Sequence, residues 1–158
     1  MLQNMLGISI GTRSIGTAVI RKGHLLDWQV KSYKGKMNQQ KLHMISGSVL
    51  KLFRNYCCNE VVIKVPDKAH TYGNIVLLKK HLTKYFNTRN IQIHYYTLSD
   101  IKASLQVPVG NKQDLLQWAV ERYIELQIVY RKEMSNKNSY YIKLFEAVAV
   151  LHIHIYKT

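Results

Sequence analysis

The chain has 158 residues, of which 47% are hydrophobic, and this content supports one folded domain and excludes an intrinsically disordered chain. Lysine and arginine number 23 against 9 aspartates and glutamates, which gives a net charge of +14, and the basic residues are spread from Arg13 to Lys157. A folded domain this basic usually binds a polyanion, so we expect a nucleic-acid partner and no membrane. The alternatives to this expectation are a solvated basic surface without a specific partner and a surface that binds a membrane.

Three strands are predicted within residues 5–33. The segments "LGISI" and "GTAVI" flank the turn "GTRSIG", and "HLLDWQVKSY" follows a second turn at Lys22 and Gly23. Short apolar runs separated by glycine are typical of an antiparallel meander.

Helices and strands alternate in the middle of the chain. Apolar residues at steps of three and four predict a first helix, with its stripe at Leu42, Ile45, Val49, Leu52 and Tyr56. "VVIKV" is the short apolar run of a buried strand. The segment from Ile75 to Phe86 repeats the helical period, and "IQIHYY" alternates as a fifth strand does.

The last part of the chain is predicted to be helical. Apolar positions from Leu116 to Tyr130 indicate one long helix, with Asn111 as its N-cap and Asp114 in its first turn. A fourth helix follows from about Tyr140. The order βββαβαβ and then helices predicts one α/β domain over residues 1–158, with the ribonuclease H-like arrangement. In it, a three-strand antiparallel meander and two parallel strands form a mixed five-stranded sheet with helices on both faces.

Cysteines and histidines show no pattern of a metal site. Cys57 and Cys58 are adjacent, which is unfavourable for a structural disulfide and lacks the CxxC spacing of zinc sites. His152 and His154 are two apart, which separates them on a helix. The start of the chain lacks the basic segment of a signal peptide, and no apolar run reaches the length of a bilayer span. We therefore expect a cytoplasmic protein with reduced thiols and without a metal or cofactor.

Four segments in order resemble motifs of the RuvC-type Holliday-junction resolvases. They are "GISIGTRSIGTAVI", "VVIKVPD", "YTLSDIKASLQVPVGNKQDLLQWAV" and "LFEAVAVLH". The first and last also resemble motifs of the related YqgF-type family. The resemblance spans nearly the whole chain and implies a ribonuclease H-like nuclease in which clustered carboxylates hold two divalent metal ions.

This chain departs from the resolvase pattern at the carboxylates themselves. The resemblance places the four acidic positions on Ser9, Lys64, Lys143 and Glu146, and only the last is an acid. A serine hydroxyl is a poor ligand for Mg²⁺. An ammonium group at contact distance within a protein repels the ion by roughly a few kcal/mol. We therefore predict a catalytically degenerate protein with no catalytic residues. One hypothesis is that Lys64 forms an ion pair with Glu146 in place of the metal; the other is that both reach solvent in an eroded cleft.

Basic residues are expected to bind nucleic acid at the carboxyl ends of the central strands, where the resemblance places the cleft. The candidates are Arg13, Lys64, Lys68, Lys102 and Lys112. Such contacts give affinity by releasing counterions and do not read base sequence. We accordingly expect non-catalytic binding of nucleic acid, with branched DNA as one possibility, and the resemblance implies a homodimer. Tyr72 is a weaker candidate for stacking an unpaired base.

Two other functions stay open at this point. Asp67 and Asp100 form, with Glu146, a possible displaced site for a Mg²⁺-dependent, structure-selective endonuclease. Against this, Asp67 follows Pro66 as a turn residue would, and Asp100 is placed to begin a helix. The third possibility is a protein-interaction module that kept only the fold, although the net charge of +14 argues against it.

Overall fold

A mixed sheet of five strands lies at the centre of the computed structural model, which describes residues 3–67, 73–105, 108–137 and 139–157. The strands are β1 (Asn4–Ile10), β2 (Ser14–Arg21), β3 (His24–Ser32), β4 (Cys58–Lys64) and β5 (Gln92–Tyr96). Their order across the sheet is β3-β2-β1-β4-β5. The first three strands are antiparallel neighbours, β4 runs parallel to β1, and β5 runs parallel to β4. The predicted meander and parallel strands are confirmed.

Helices cover both faces of this sheet. They are α1 (Gln39–Asn55), α2 (Asn74–Asn87), α3 (Leu98–Ser104), α4 (Lys112–Arg122), α5 (Gln127–Ser135) and α6 (Ile142–Ile155). Leu6 and Ile8 belong to the core that α1 and α2 share with the sheet, whereas Ala18 and Val62 pack with α3, α4 and α6 on the other face. Within the part of the chain that the structure describes, no helix has both the length and the apolarity needed to cross a membrane.

Side-chain caps define where the helices begin. The amide oxygen of Asn111 accepts a hydrogen bond from the backbone nitrogen of Asp114 at 3.0 Å, and the Asp114 carboxylate accepts one from Asn111 in return. The predicted cap is therefore confirmed. Thr97 and Asp100 form a second capping box, which starts α3. Such reciprocal bonds satisfy backbone donors that a helix start otherwise leaves without partners.

The predicted long helix from Leu116 to Tyr130 is wrong, because the chain breaks at Tyr123. This residue is extended (φ −126°, ψ 95°), and a short 3₁₀ turn (Ile124–Leu126) separates α4 from α5. Tyr123 is 2% exposed, and its hydroxyl lies 2.7 Å from Nδ1 of His152 in α6. Burial of this ring against α6 outweighs continuation of the helix. The apolar pattern predicted one continuous helix because the segments on either side of the break face the same core.

Two glycines allow α6 to lie directly against the β1–β2 hairpin. A Cβ atom at Gly16 would lie 2.1 Å from the carbonyl carbon of Lys143, and one at Gly7 would lie 2.6 Å from the carbonyl oxygen of Ala147. Any side chain at either position would therefore push the helix backbone away. This close approach sets the distance of Lys143 and its neighbours from β1.

Gly16→Ala is expected to lower the free energy of unfolding by about 3 kcal/mol or more, because backbone must move to admit the new methyl group. Denaturant titration followed by circular dichroism measures this loss. Gly47→Ala is the matched control: it lies inside α1, and among the described residues no atom beyond its chain neighbours and its own helix backbone lies within 4 Å of an added Cβ. Alanine there is expected to stabilise by about 0.5–1 kcal/mol. Equal effects of the two substitutions would contradict the close packing of α6.

Candidate functional site

The four positions at which the resolvase pattern has acids converge in space. Ser9 and Lys64 are directly paired neighbours near the carboxyl ends of β1 and β4. Lys143 and Glu146 lie one turn apart in the first half of α6, which packs over these strands. The register of the sheet and the placement of α6 thus bring strand and helix residues to one point.

A single carboxylate oxygen is the centre of this cluster. Oε1 of Glu146 accepts hydrogen bonds from Oγ of Ser9 at 2.7 Å and from Nζ of Lys143 at 2.9 Å. Nζ of Lys64 lies 3.6 Å from the same oxygen. The hypothesised ion pair between Lys64 and Glu146 is therefore present. Lys143 is the nearer cation, which was not predicted from the sequence. Its spacing of three residues from Glu146 on a helix is typical of such ion pairs and could have indicated it.

The electrostatics of the cluster keep Glu146 ionised. Burial opposes ionisation of this carboxyl group, but the charges of Lys64 and Lys143 and the hydrogen bonds from Lys143 and Ser9 outweigh it, so its pKa lies below the usual value. Burial lowers the pKa of Lys64, and the Glu146 charge opposes that shift. The shared carboxylate thus offsets part of the cost of burying the Lys64 charge.

These residues do not fit the divalent metal ions that the resolvase resemblance implies. Such ions need several oxygen ligands, mainly carboxylates. Here one glutamate oxygen is occupied by two ammonium groups and a hydroxyl. An ion at this point would face the positive charges of Lys64 and Lys143 instead of compensating carboxylates.

The other candidate cations lie in different surroundings. Arg13 is exposed in the turn between β1 and β2, and Lys102 is exposed in the last turn of α3. Lys112 is ion-paired with Glu133, at 3.2 Å. Lys68, like the aromatic candidate Tyr72, lies outside the described residues.

Glu133 is a buried acid that the sequence analysis did not single out. Its Oε1 accepts hydrogen bonds from the backbone nitrogens of Tyr140 and Tyr141, at 3.0 and 3.1 Å. Burial opposes its ionisation, but these bonds and the Lys112 charge hold the pKa of its carboxyl group below the usual range. Lys112 therefore helps to hold the chain where it enters α6. A phosphate group would compete with Glu133 for the ammonium group of Lys112.

The acids of the displaced-site alternative have other roles. The Asp100 carboxylate accepts a hydrogen bond from the backbone nitrogen of Thr97 at 2.8 Å and caps α3. Asp67 accepts one from Oγ of Ser99 at 3.3 Å. Among the described residues, Asp67, Asp100 and Glu146 do not form a cluster whose ligand atoms lie within 4.8 Å of one another. The geometry therefore gives this alternative no support.

Comparison with known proteins shows the fold. No protein-family model matches the sequence, and no curated protein matches it significantly. The chain is similar to Thermus thermophilus RuvC in complex with a Holliday junction substrate, with a TM-score of 0.75 and 12% identity over 98% of this chain and 93% of that one. A second structure of Thermus thermophilus RuvC has a TM-score of 0.70 and 14% identity, over 97% of this chain and 93% of that one. A Fowlpox virus resolvase, solved with substrate Holliday junction DNA, has a TM-score of 0.56 and 9% identity, over 96% of this chain and 99% of that one. The chain therefore has a RuvC-like resolvase fold, of the ribonuclease H-like class.

Proposed function

We propose that this protein binds nucleic acid, in particular branched DNA, without cleaving it, at the carboxyl ends of β1 and β4. The observation that carries the proposal is the pairing of Glu146 with Lys64 and Lys143 where the resolvase pattern has a carboxylate cluster. The two ammonium groups outnumber the one carboxylate, so the excess positive charge at this point attracts phosphate and disfavours Mg²⁺ without direct contact from Lys64.

The fold and the charge support the same partner. Two of the similar structures were solved with Holliday junction DNA. The net charge of +14 supplies an attraction to phosphate that does not depend on base sequence. Loss of catalysis alone does not explain so strong an excess of cations.

Accessibility divides the candidate cations into two groups. Arg13 and Lys102 are exposed, so we propose that they contact phosphate groups directly. Lys64 and Lys112 are each paired with a buried glutamate and act mainly within the protein. Lys68 stays a candidate from the sequence.

The testing experiment is a fluorescence anisotropy titration of nucleic-acid-free protein against a four-way junction and a linear duplex of the same base composition. It is run at two salt concentrations with Mg²⁺ present, and the DNA is afterwards examined for cleavage. Tight, salt-sensitive binding that favours the junction, with the DNA intact, is expected. Cleavage would overturn the non-catalytic assignment. Absence of binding at moderate salt would leave the protein-interaction module as the better function.

Arg13→Gln is expected to weaken junction binding and to reduce the slope of log affinity against log salt by about 1, because one phosphate contact is lost. Arg21→Gln is the matched control, since this exposed arginine lies at the opposite end of the same hairpin. Both substitutions lower the net charge equally, so a general effect of charge would reduce binding equally. Equal losses in the anisotropy titration would contradict a contact at Arg13.

Two further expectations stay predictions. The homodimer implied by the resemblance is tested by light scattering of the purified protein, with and without junction DNA. The cytoplasmic location is tested by fractionating cells that produce the protein.

A further inference from the structure

Three metal-ligating side chains meet at the end of the sheet opposite to Glu146. They are Glu60 in β4, His94 in β5 and His154 in the last turn of α6. Nε2 of His154 lies 3.3 Å from one carboxylate oxygen of Glu60, and Nε2 of His94 lies 3.6 Å from the other. Glu60 precedes Lys64 by four residues along β4, a distance of about 13 Å at the usual rise of a strand. The cluster is therefore separate from the site around Glu146.

The parallel pairing of β4 with β5 explains this convergence. Glu60 is paired with Gln92, and Val62 is paired with His94, so Glu60 and His94 point to the same face of the sheet. That face is covered by α6, because Val62 lies in the core that α6 shares with the sheet. His154 lies two turns beyond Glu146 on α6 and so reaches the opposite end of β4. Three separate elements thus each supply one ligand.

The chemistry around the imidazoles favours a metal. The hydroxyl of Tyr96 lies 2.8 Å from Nδ1 of His154, and such a bond to one ring nitrogen orients the other towards an ion. Nε2 of His94 is buried and has no hydrogen-bond partner among the described residues.

The spacing of the three side chains suits one shared ion. The rings of His94 and His154 have centroids 4.2 Å apart, and the ligand atoms of Glu60, His94 and His154 all lie within 4.8 Å of one another. Tetrahedral bonds of roughly 2.0–2.1 Å to zinc separate neighbouring ligand atoms by about 3.3 Å. The imidazole nitrogens lie at similar distances, 3.3 and 3.6 Å, from the two Glu60 oxygens. Two imidazoles and one carboxylate suit zinc and its neighbours in the transition series, whereas Mg²⁺ prefers oxygen ligands.

We propose that Glu60, His94 and His154 bind one divalent transition-metal ion of the zinc class. The ion joins the edge strand β5 to β4 and to the end of α6, and water completes its coordination. This site is independent of nucleic-acid binding, because it uses other residues at the other end of the sheet. The histidines show no metal-site pattern in the sequence, because the arrangement proposed to bind metal exists only between elements.

The test uses a Cys57→Ser background, because Cys57 is an exposed thiol that can itself bind zinc. Metal-free protein is dialysed against zinc, and bound metal is measured by mass spectrometry. One zinc ion per chain and a zinc-dependent rise in the melting temperature are expected. His94→Ala and Glu60→Gln should each lower the affinity by at least about tenfold and abolish the rise in melting temperature. His24→Ala, at an exposed histidine, should bind as the background does.

Circular dichroism without metal shows whether each variant is folded. If His94→Ala fails to fold, Tyr96→Phe replaces it, since this change removes only the hydroxyl bonded to His154 and should lower zinc affinity about tenfold. Absence of saturable zinc binding by the background protein would overturn the proposal. So would binding at full affinity in both folded ligand variants.

Discussion

Glu146→Gln is expected to lower the free energy of unfolding by about 3 kcal/mol at neutral pH. The change keeps the shape of the side chain but removes the charge that Lys64 and Lys143 share, and it leaves two ammonium groups close together in a largely buried place. Removal of one partner from a buried ion pair typically costs about 3–5 kcal/mol, and the lower end applies because the Lys143 side chain is 21% exposed. Chemical denaturation measures the loss.

The control for this substitution is Glu121→Gln, at an exposed position of α4. It is expected to change stability by less than about 0.5 kcal/mol, as surface changes usually do. A loss at Glu146 no larger than that at Glu121 would show that the cluster contributes little to folding.

At acid pH, the wild type should lose the extra stability that it has over the Glu146→Gln variant. The folded protein holds the pKa of this carboxyl group below its usual value of 4.5, so ionisation stabilises the fold. The contribution is fully present above that usual value and is lost as the pH falls through the lower pKa of the folded state. The difference in stability between the wild type and Glu146→Gln should therefore shrink below about pH 4.5. Denaturation at several pH values measures it, and a constant difference would contradict the ion-pair explanation.

The triple variant Ser9→Asp, Lys64→Glu, Lys143→Asp is expected to gain a binding site for Mg²⁺ that the wild type lacks. It places four carboxylates where two lysines, a serine and a glutamate now meet. Repulsion among them should make the metal-free variant less stable than the wild type. Mg²⁺ should then stabilise it by about 2.7 kcal/mol when present at a hundred times its dissociation constant. Melting temperatures with and without Mg²⁺ measure this gain.

The matched control is Ser9→Asn, Lys64→Gln, Lys143→Asn, which removes the same lysines without adding acids. It should show no stabilisation by Mg²⁺. Junction cleavage by the acidic variant alone, and only with Mg²⁺, would show that the remaining surface still positions DNA as a nuclease does. Failure of Mg²⁺ to stabilise the folded acidic variant would contradict the implication of the resemblance that these four positions correspond to a metal site.

Both experiments address one physical question, namely how the fold tolerates lysines at positions where the resolvase resemblance implies acids. The answer from the geometry is that one retained glutamate neutralises part of their charge and is itself kept ionised by them. Loss of Glu146 should therefore harm folding, whereas loss of a surface cation such as Arg13 should harm only binding.

The sequence by itself determined the class of fold and the positions that meet at the site. The order of strands and helices along the chain follows from apolar periodicity, because that pattern records which face of each element is buried. The mixed sheet with helices on both faces then follows from the meander and the crossover connections. The hydrogen-bonded start of α4 at Asn111 was likewise readable, since a capping box involves residues only three apart. The resemblance to the resolvases implied that Ser9, Lys64 and Glu146 lie together.

Only the tertiary structure decided the contacts between elements. The break at Tyr123 depends on a partner in α6, and the contacts of Glu146 with Ser9 and Lys64 depend on how closely Gly16 lets that helix approach the sheet. The cluster of His154 with Glu60 joins residues that are 94 positions apart. Local patterns do not encode such distances, because they depend on sheet register and on the placement of one helix, which the whole core fixes together.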